Sequence, residues 1–445
     1  MIDQLERVSA MDRQLRAFTC VGTSPGVADG RPDSVALGVK DLFDVAGLPT
    51  ALGTAALPAR QAVRTAAAVA ALQEWRAVVV GKTVTSEFAY FGANATRNPW
   101  HPGSSPGGSS TGSAAAVGAG QVPLAIGTQT NGSVIRPAAY CGVVGFKPTY
   151  GTIPTEGLWL FAPSFDTVGA FARTVSLAGT AADVMAAGGL GFAGSSVPLE
   201  PAGLRIAVVR TQDWSMTTAE MRSALEGTAR LLADAGADVD ELTTPLCGEE
   251  GLSLHRTISE FEGAAAIGRL GIKRADLLGA KIREVLAHAA TITTEAYGRA
   301  LDRRAQLVAE LDRTLSGIDC VLTVPAAGAA PPAGDNGDPR FCTRWSLAGT
   351  PAICLPAVLG EHGLPLGVQL VGRRGTDARL LRLAQSVEEL LGFAPNYERI
   401  VVADSTEDHG RHPVHADTRG VRVELRRNST DPASPAGVGA AAVDR

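Results

Sequence analysis

Two serines in this 445-residue chain stand on glycine-rich turns, a setting that suits nucleophilic chemistry. Gly107 and Gly108 lead into Ser109 and Ser110, and the small-residue run 111–120 that follows predicts a tightly packed helix, which puts these serines at a helix N-terminus. Residues 122–126 read as a short buried strand that delivers a second turn, Thr130-Asn131-Gly132-Ser133, again followed by apolar residues. Ser109 and Ser133 lie 24 residues apart, enough for one helix and one strand to run out and back. Both turns can therefore open onto the same edge of a sheet and bring their hydroxyls together. Ser110 and Thr111 are read as caps of a helix at 112–119 rather than as reactive groups. Composition alone would also fit a flexible Gly/Ser linker, but a linker has no reason to run straight into AAAVGAG, an apolar strand and a second glycine turn.

A serine nucleophile needs a proton acceptor and a stabiliser for the oxyanion. Four histidines precede residue 400, at 101, 255, 288 and 362, and none sits in a glycine turn or a recognisable Ser-His-Asp context. The six cysteines, at 20, 141, 247, 320, 342 and 354, show no CxxC pair or metal spacing and are read as reduced and mostly buried. Lys40 ends a predicted strand at 35–38 and is flanked by Val39, Leu42 and Phe43, which suggests partial burial of a charge that is ordinarily solvated.

The stretch 106–151, with GGSSTGSAAAVGAG, the turn GTQTNGS and then CGVVGFKPTYG, resembles the amidase signature family, serine hydrolases that cut amide C–N bonds with a Ser-cisSer-Lys triad. Similarity extends to GVKDLFDVAGLPT at 38–50, GKTVTSEFAYFG at 81–92, and AGTPAICLPA with LPLGVQLVG near the C-terminus, covering most of residues 30–400. The resemblance implies an α/β amidase signature fold, a central mixed sheet wrapped by helices. It also implies Ser133 as nucleophile, Ser109 as proton relay after a cis peptide from Gly108, and Lys40 as base. A lysine in that role must be neutral when substrate arrives, and burial can lower its pKa from about 10.4 by several units. The backbone amides of Thr130, Asn131, Gly132 and Ser133 would line the oxyanion hole, since a glycine turn aims its N–H groups at one spot. Two positions depart from the pattern, Gln129 where many members have Asp and Asn131 where many have Gly. The segment SVIRPAA after GTQT resembles the malonamidase branch, in which the arginine at the position of Arg136 grips a substrate carboxylate; a structural ion pair, with Asp41, Asp44 and Asp166 as candidate partners, is the competing role.

The elements that must position these residues alternate along the chain. Residues 59–75 read as an alanine-rich helix and 77–80 as a buried strand, which with the helix and strand above argues for an α/β sheet. GKT at 81–83 is no phosphate loop, because position 76 is Arg where that motif needs Gly. From 218 to about 317 apolar residues recur at helical spacing, and the span of about 205–318 is read as a helical insertion. Residues 321–324 and 352–356 read as returning strands and 380–391 as a closing helix. A single domain is expected over 1–402. The charged, Pro/Gly/Ala-rich 403–445 is read as a disordered tail with VRVEL at 421–425 and histidines at 409, 412 and 415.

Hydrophobic content of 45% and a chain long enough to bury roughly three quarters of its unfolded surface describe a soluble globular protein. A formal charge of −5 leaves no basic footprint for nucleic acid, and no apolar run approaches the ~20 residues of a membrane span. With no signal-peptide pattern at the N-terminus, the expected compartment is the cytoplasm. The expected partner is a small-molecule amide, with a homodimer as an admissible assembly. The alternatives are the catalytic A-type subunit of a glutamine-dependent aminoacyl-tRNA amidotransferase and a member that binds without catalysis. No metal or organic cofactor is expected, since no Cys/His/Asp cluster has ligand spacing. Dialysis against a strong chelator is therefore predicted to leave the hydrolysis rate unchanged; a loss restored by zinc would contradict this.

Overall fold

The chain starts with helix α1 (Ile2–Leu15) and strand β1 (Phe18–Val21), then enters the interior on β2 (Val35–Lys40), whose last five residues are buried. A two-stranded pair, β3 (Pro49–Thr50) with β4 (Arg60–Gln61), precedes α2 (Ala67–Trp75) and β5 (Ala77–Thr83). The two serine turns flank α3 (Thr111–Gly118) and β6 (Leu124–Gln129), and α4 (Ile135–Cys141), β7 (Val144–Lys147), β8 (Thr167–Ala172) and α5 (Val175–Met185) follow. The second half runs β9 (Arg205–Val208), α6 (Ala219–Asp234), β10 (Asp238–Glu241), α7 (Glu249–Gly268), α8 (Ala280–Ala289) and α9 (Thr294–Thr314). It closes with β11 (Cys320–Thr323), α10 (Arg340–Ala348), β12 (Ala352–Leu359), β13 (Pro365–Val371) and α11 (Asp377–Leu391). The structure is a computed structural model that describes residues 2–23, 33–92, 94–192 and 197–394; the expected tail at 403–445 lies outside the described residues.

Eleven of these strands form one mixed sheet in the order β1-β5-β2-β6-β8-β7-β12-β13-β11-β9-β10. The expected α/β architecture is present. β5-β2-β6 and β11-β9-β10 pair in parallel, and the strands between run antiparallel. β5 and β6 are buried at every position, so helices cover both faces there, as apolar parallel strands require. Among the described residues no helix is long and apolar enough to cross a membrane.

Two expectations need correction. The alanine-rich helix begins at Ala67, not 59, because Arg60–Gln61 pairs with Pro49–Thr50 and only Ala68, Val69 and Leu72 supply a buried face. Alanine content is a weak preference that such tertiary pairing overrides. The span of about 205–318 is helical for most of its length but also contributes β9 and β10, which extend the sheet beside β11. β9 is short and apolar; β10, Asp-Val-Asp-Glu, is charged because it forms an exposed edge.

Register around the first lysine is set by an irregularity. Leu37 faces Val79 but Gly38 faces Gly81, so β5 holds one extra residue, Val80, and Lys40 comes opposite Thr83 while Val39 comes opposite Lys82. Lys82, the lysine of the GKT segment, is buried and pairs with buried Asp41 at 2.8 Å, with Thr50 and the Pro49 carbonyl taking its remaining hydrogens.

Every residue of α3 is buried, which explains its run of Gly, Ser and Ala. At Gly112 a Cβ would lie 2.1 Å from the Ala17 carbonyl oxygen and 2.4 Å from the Val84 nitrogen, both backbone atoms. Gly112→Ala is predicted to cost about 3 kcal/mol or more by overpacking, read as a fall in the thermal unfolding midpoint. An unchanged midpoint would show that α3 can shift away from β1 and β5.

Candidate active site

The lysine at the end of β2 is fully buried, and its Nζ donates to Ser109 Oγ at 2.9 Å and to Thr128 Oγ1 at 2.8 Å. Neither partner is an acid. Burial therefore lowers the Lys40 pKa from its ordinary 10.5 to about 7, against the charge of Asp166, which raises it. Asp166 is itself buried, and desolvation pushes its carboxyl up to about 6 although the Thr130 hydroxyl, the Ala162 and Phe161 N–H groups and Lys40 all favour its ionised form. Ser109 follows the cis Gly108–Ser109 peptide at the entrance to α3. Ser110 does not cap that helix as expected. Its hydroxyl donates to the Thr128 carbonyl at 3.2 Å and accepts the Thr128 N–H at 3.3 Å, fastening α3 to β6.

The second turn is held by its oxygens. His255 on α7 donates Nε2–H to the Thr130 carbonyl at 2.9 Å, Ser346 on α10 donates to the Asn131 carbonyl at 2.6 Å, and the Gly132 carbonyl accepts the Arg136 N–H at 3.0 Å. The Thr130 hydroxyl is bound to Asp166, and Thr343 donates to the Asn131 side chain. Gln129, one of the two departures noted above, turns its Oε1 onto the N–H groups of Val134 at 2.8 Å and Ile135 at 3.0 Å, where it caps α4 in place of an acidic residue. Among the described residues no acceptor faces the N–H groups of Asn131, Gly132 or Ser133, nor does the Ser133 hydroxyl make a hydrogen bond. His255 is neutral: burial lowers its pKa to about 4, helped by Arg304, with the Thr130 carbonyl pulling the other way.

Ser109, Ser133, Thr130, Asn131 and Arg136 line one cavity of about 660 Å³. The serine hydroxyls share this space without a direct hydrogen bond. Tyr90, Phe91 and Phe161 form an aromatic wall, with Tyr90 and Phe161 centroids 5.2 Å apart and the Tyr90 hydroxyl tied to buried Glu260 at 2.9 Å. A larger cavity of about 760 Å³ beside Tyr150 and Arg304 contains none of the predicted site residues. Arg136 is buried; its Nε donates to the Asn336 carbonyl at 2.7 Å and its Nη2 to the Gly108 carbonyl at 2.8 Å, leaving Nη1 without a partner. No carboxylate pairs with it, so the structural ion pair weighed for it is absent among the described residues. Sequence reasoning did not single out Thr128 or Ser346 for the site, weighed Asp166 only as an ion-pair partner of Arg136 and set His255 aside; only their distant partners reveal them.

A buried lysine held by two hydroxyls has a consequence for stability. Its folded pKa lies below its unfolded one, so the folded state binds fewer protons and Lys40 destabilises the fold at any pH below about 7, an effect that fades as pH rises towards 10.5. Lys40→Met is predicted to raise stability near pH 7 by up to about 4 kcal/mol, with the gain shrinking in denaturant titrations at higher pH. A variant less stable than wild type at pH 7 would overturn this.

Comparison with known proteins agrees with this construction. Residues 33–381 match the model of the family described as Amidase. A relative from Anaeromyxobacter dehalogenans (strain 2CP-C), the A-type subunit of glutamyl-tRNA(Gln) amidotransferase, is 33% identical over 460 residues, covering 88% of this chain and 92% of its own. Among solved structures, 6-aminohexanoate cyclic dimer hydrolase superposes with a TM-score of 0.80 at 26% identity, over 89% of this chain and 94% of its own. The native peptide amidase of Stenotrophomonas maltophilia does so with a TM-score of 0.73 at 27% identity, over 87% and 92%. Sequence and superposed fold thus converge, and the chain belongs to the amidase signature family of amide hydrolases.

Proposed function

We propose that the chain hydrolyses a small amide to a carboxylate and ammonia or an amine through an acyl-enzyme on Ser133. The observation that carries this reading is the buried Lys40 Nζ bonded to Ser109 Oγ in the cavity that Ser133 also lines. Ser133 Oγ attacks the carbonyl carbon as its proton passes to Ser109 Oγ and the Ser109 proton passes to neutral Lys40. The carbonyl oxygen takes the developing charge and meets the free N–H groups of the 130–133 turn. Collapse of the tetrahedral adduct breaks the C–N bond, with Lys40 returning its proton through Ser109 to the leaving nitrogen. Water then cleaves the ester by the same route.

The substrate class is read from Arg136. Arg136 lines the cavity and its buried Nη1 has no partner, which favours a small amide that also carries a carboxylate, the preference of the malonamidase branch. The guanidinium cannot offer its whole fork, because Nε and Nη2 are spent on Asn336 and Gly108; only the two hydrogens of Nη1 are left for a carboxylate. A second reading, the A-type subunit of a tRNA-dependent amidotransferase, is favoured by the names of the curated relatives. Against it stand Gln129 and the order SVIRP where that subunit usually has SIRQP. Co-purification with partner subunits, or glutaminase activity, would select it.

Ser133→Ala and Lys40→Ala are each predicted to remove most activity without unfolding the chain, and the double variant to be scarcely worse, since the residues act as one proton-transfer unit. The wild-type rate is predicted to fall as pH drops through about 7, where Lys40 becomes protonated. Near wild-type turnover of Lys40→Ala at pH 7, scored by ammonia release from an amide panel, would discard the lysine base.

Arg136→Lys keeps a charge but loses the bonds to Gly108 and Asn336. It is predicted to depress turnover of malonamate at least tenfold more than turnover of a neutral amide of the same length. Equal losses on both, together with a lower melting temperature, would assign Arg136 to structure alone.

A further inference from the structure

One buried carboxylate is bonded to the second turn, acts on Lys40 through its charge and has no part in the proton relay. Asp166 lies just before β8, where its Oδ2 accepts the N–H groups of Phe161 at 2.6 Å and Ala162 at 3.0 Å and its Oδ1 accepts the Thr130 hydroxyl. Thr130 follows directly on β6, and Thr128 lies two residues earlier within that strand. Thr128 holds Lys40 through its hydroxyl and Thr130 holds Asp166 through its own, so hydroxyls two residues apart fix the lysine and the carboxylate. Each feels the other's charge.

We propose that Asp166 is a positioning residue of the hydrolase: it fixes the first residue of the nucleophile turn through the Thr130 hydroxyl, and its charge keeps Lys40 basic enough to take a serine proton. The inference rests on the serine-lysine reading above. Burial without a counter-charge would lower the Lys40 pKa further and weaken it as a base, whereas a general base is most effective near the operating pH. Asp166 supplies the opposing charge without bonding to Lys40, which stays free to face Ser109. The other groups around the pair do not replace it. From β2, Asp41 is turned away onto Lys82; from α7, His255 is neutral; from the 148–151 loop, Tyr150 senses the Asp166 charge but donates its hydroxyl to the Pro163 carbonyl. Ser109 and Thr128 present only hydroxyl and carbonyl oxygens.

The test needs no knowledge of the natural substrate: an alkyl fluorophosphonate phosphonylates the nucleophile, and its second-order inactivation rate is followed against pH. In Asp166→Asn the acid limb of that profile is expected to move to lower pH by about one unit, with a plateau at least tenfold lower because the base is weaker. In Thr130→Val the limb stays in place while the plateau falls about tenfold, and Thr130→Ser restores it. Wild-type profiles for both Asp166→Asn and Thr130→Val would overturn the proposal. If Asp166→Asn does not fold, as a melting curve would show, Thr130→Val decides: an unchanged plateau overturns the proposal and a loss rescued by serine sustains it. Failure of wild type to be labelled at Ser133 would instead discard the serine reading, and this inference with it.

Discussion

The structure depends on keeping one ammonium group out of water without giving it a carboxylate to bond. Lys40 would be cheaper to bury beside an acid, as Lys82 is beside Asp41, but an ion pair would hold its proton. Instead Nζ meets two hydroxyls that reach it from different elements, Ser109 before α3 and Thr128 in β6. For those three groups to coincide, β2 must end where it does, α3 must press against β5 closely enough that only glycine fits at 112, and Ser110 must fasten α3 to β6. The packing of this region is the scaffold of a single desolvated site.

The second turn solves the complementary problem. A backbone that is to offer its N–H groups to a ligand must have its carbonyls satisfied elsewhere, because unpaired buried oxygens are costly. Here the loop before β8 and helices α4, α7 and α10 each supply a partner to the turn, so the segments C-terminal to residue 205 hold it in place through His255, Thr343 and Ser346. Arg136 belongs to the same arrangement: two of its nitrogens hold backbone oxygens, one of them on the residue before Ser109, and the third is left over.

What sequence makes legible here is local. The glycine turns, the small-residue helix between them and the strand ending in Lys40 all follow from propensity and spacing over short stretches of chain. What it conceals is non-local. Asp166, His255 and Ser346 are ordinary residues whose roles arise from partners 36, 125 and 215 positions away. β10 hides because an edge strand carries charge on both sides, and the start of α2 is misjudged because alanine composition says nothing about the pairing of Arg60 and Gln61. Nearness in sequence gives Ser110 a helix to cap, whereas its hydroxyl finds its partners across the helix-strand interface.

The extra residue in β5 also bears on how this protein can change. Side chains alternate along a strand, so Val80 sets the parity of everything after it: with it, Lys40 shares a face with Thr83 and Ser113 while Lys82 shares the opposite face with Val39 and Asp41. Were the strands paired residue for residue beyond Val79, without the bulge, Lys82 would come opposite Lys40, with two ammonium groups competing for one side of a dry sheet. Many side chains could stand at position 80, but the bulge itself must form there, because it is what separates a lysine paired with an acid from one that has none.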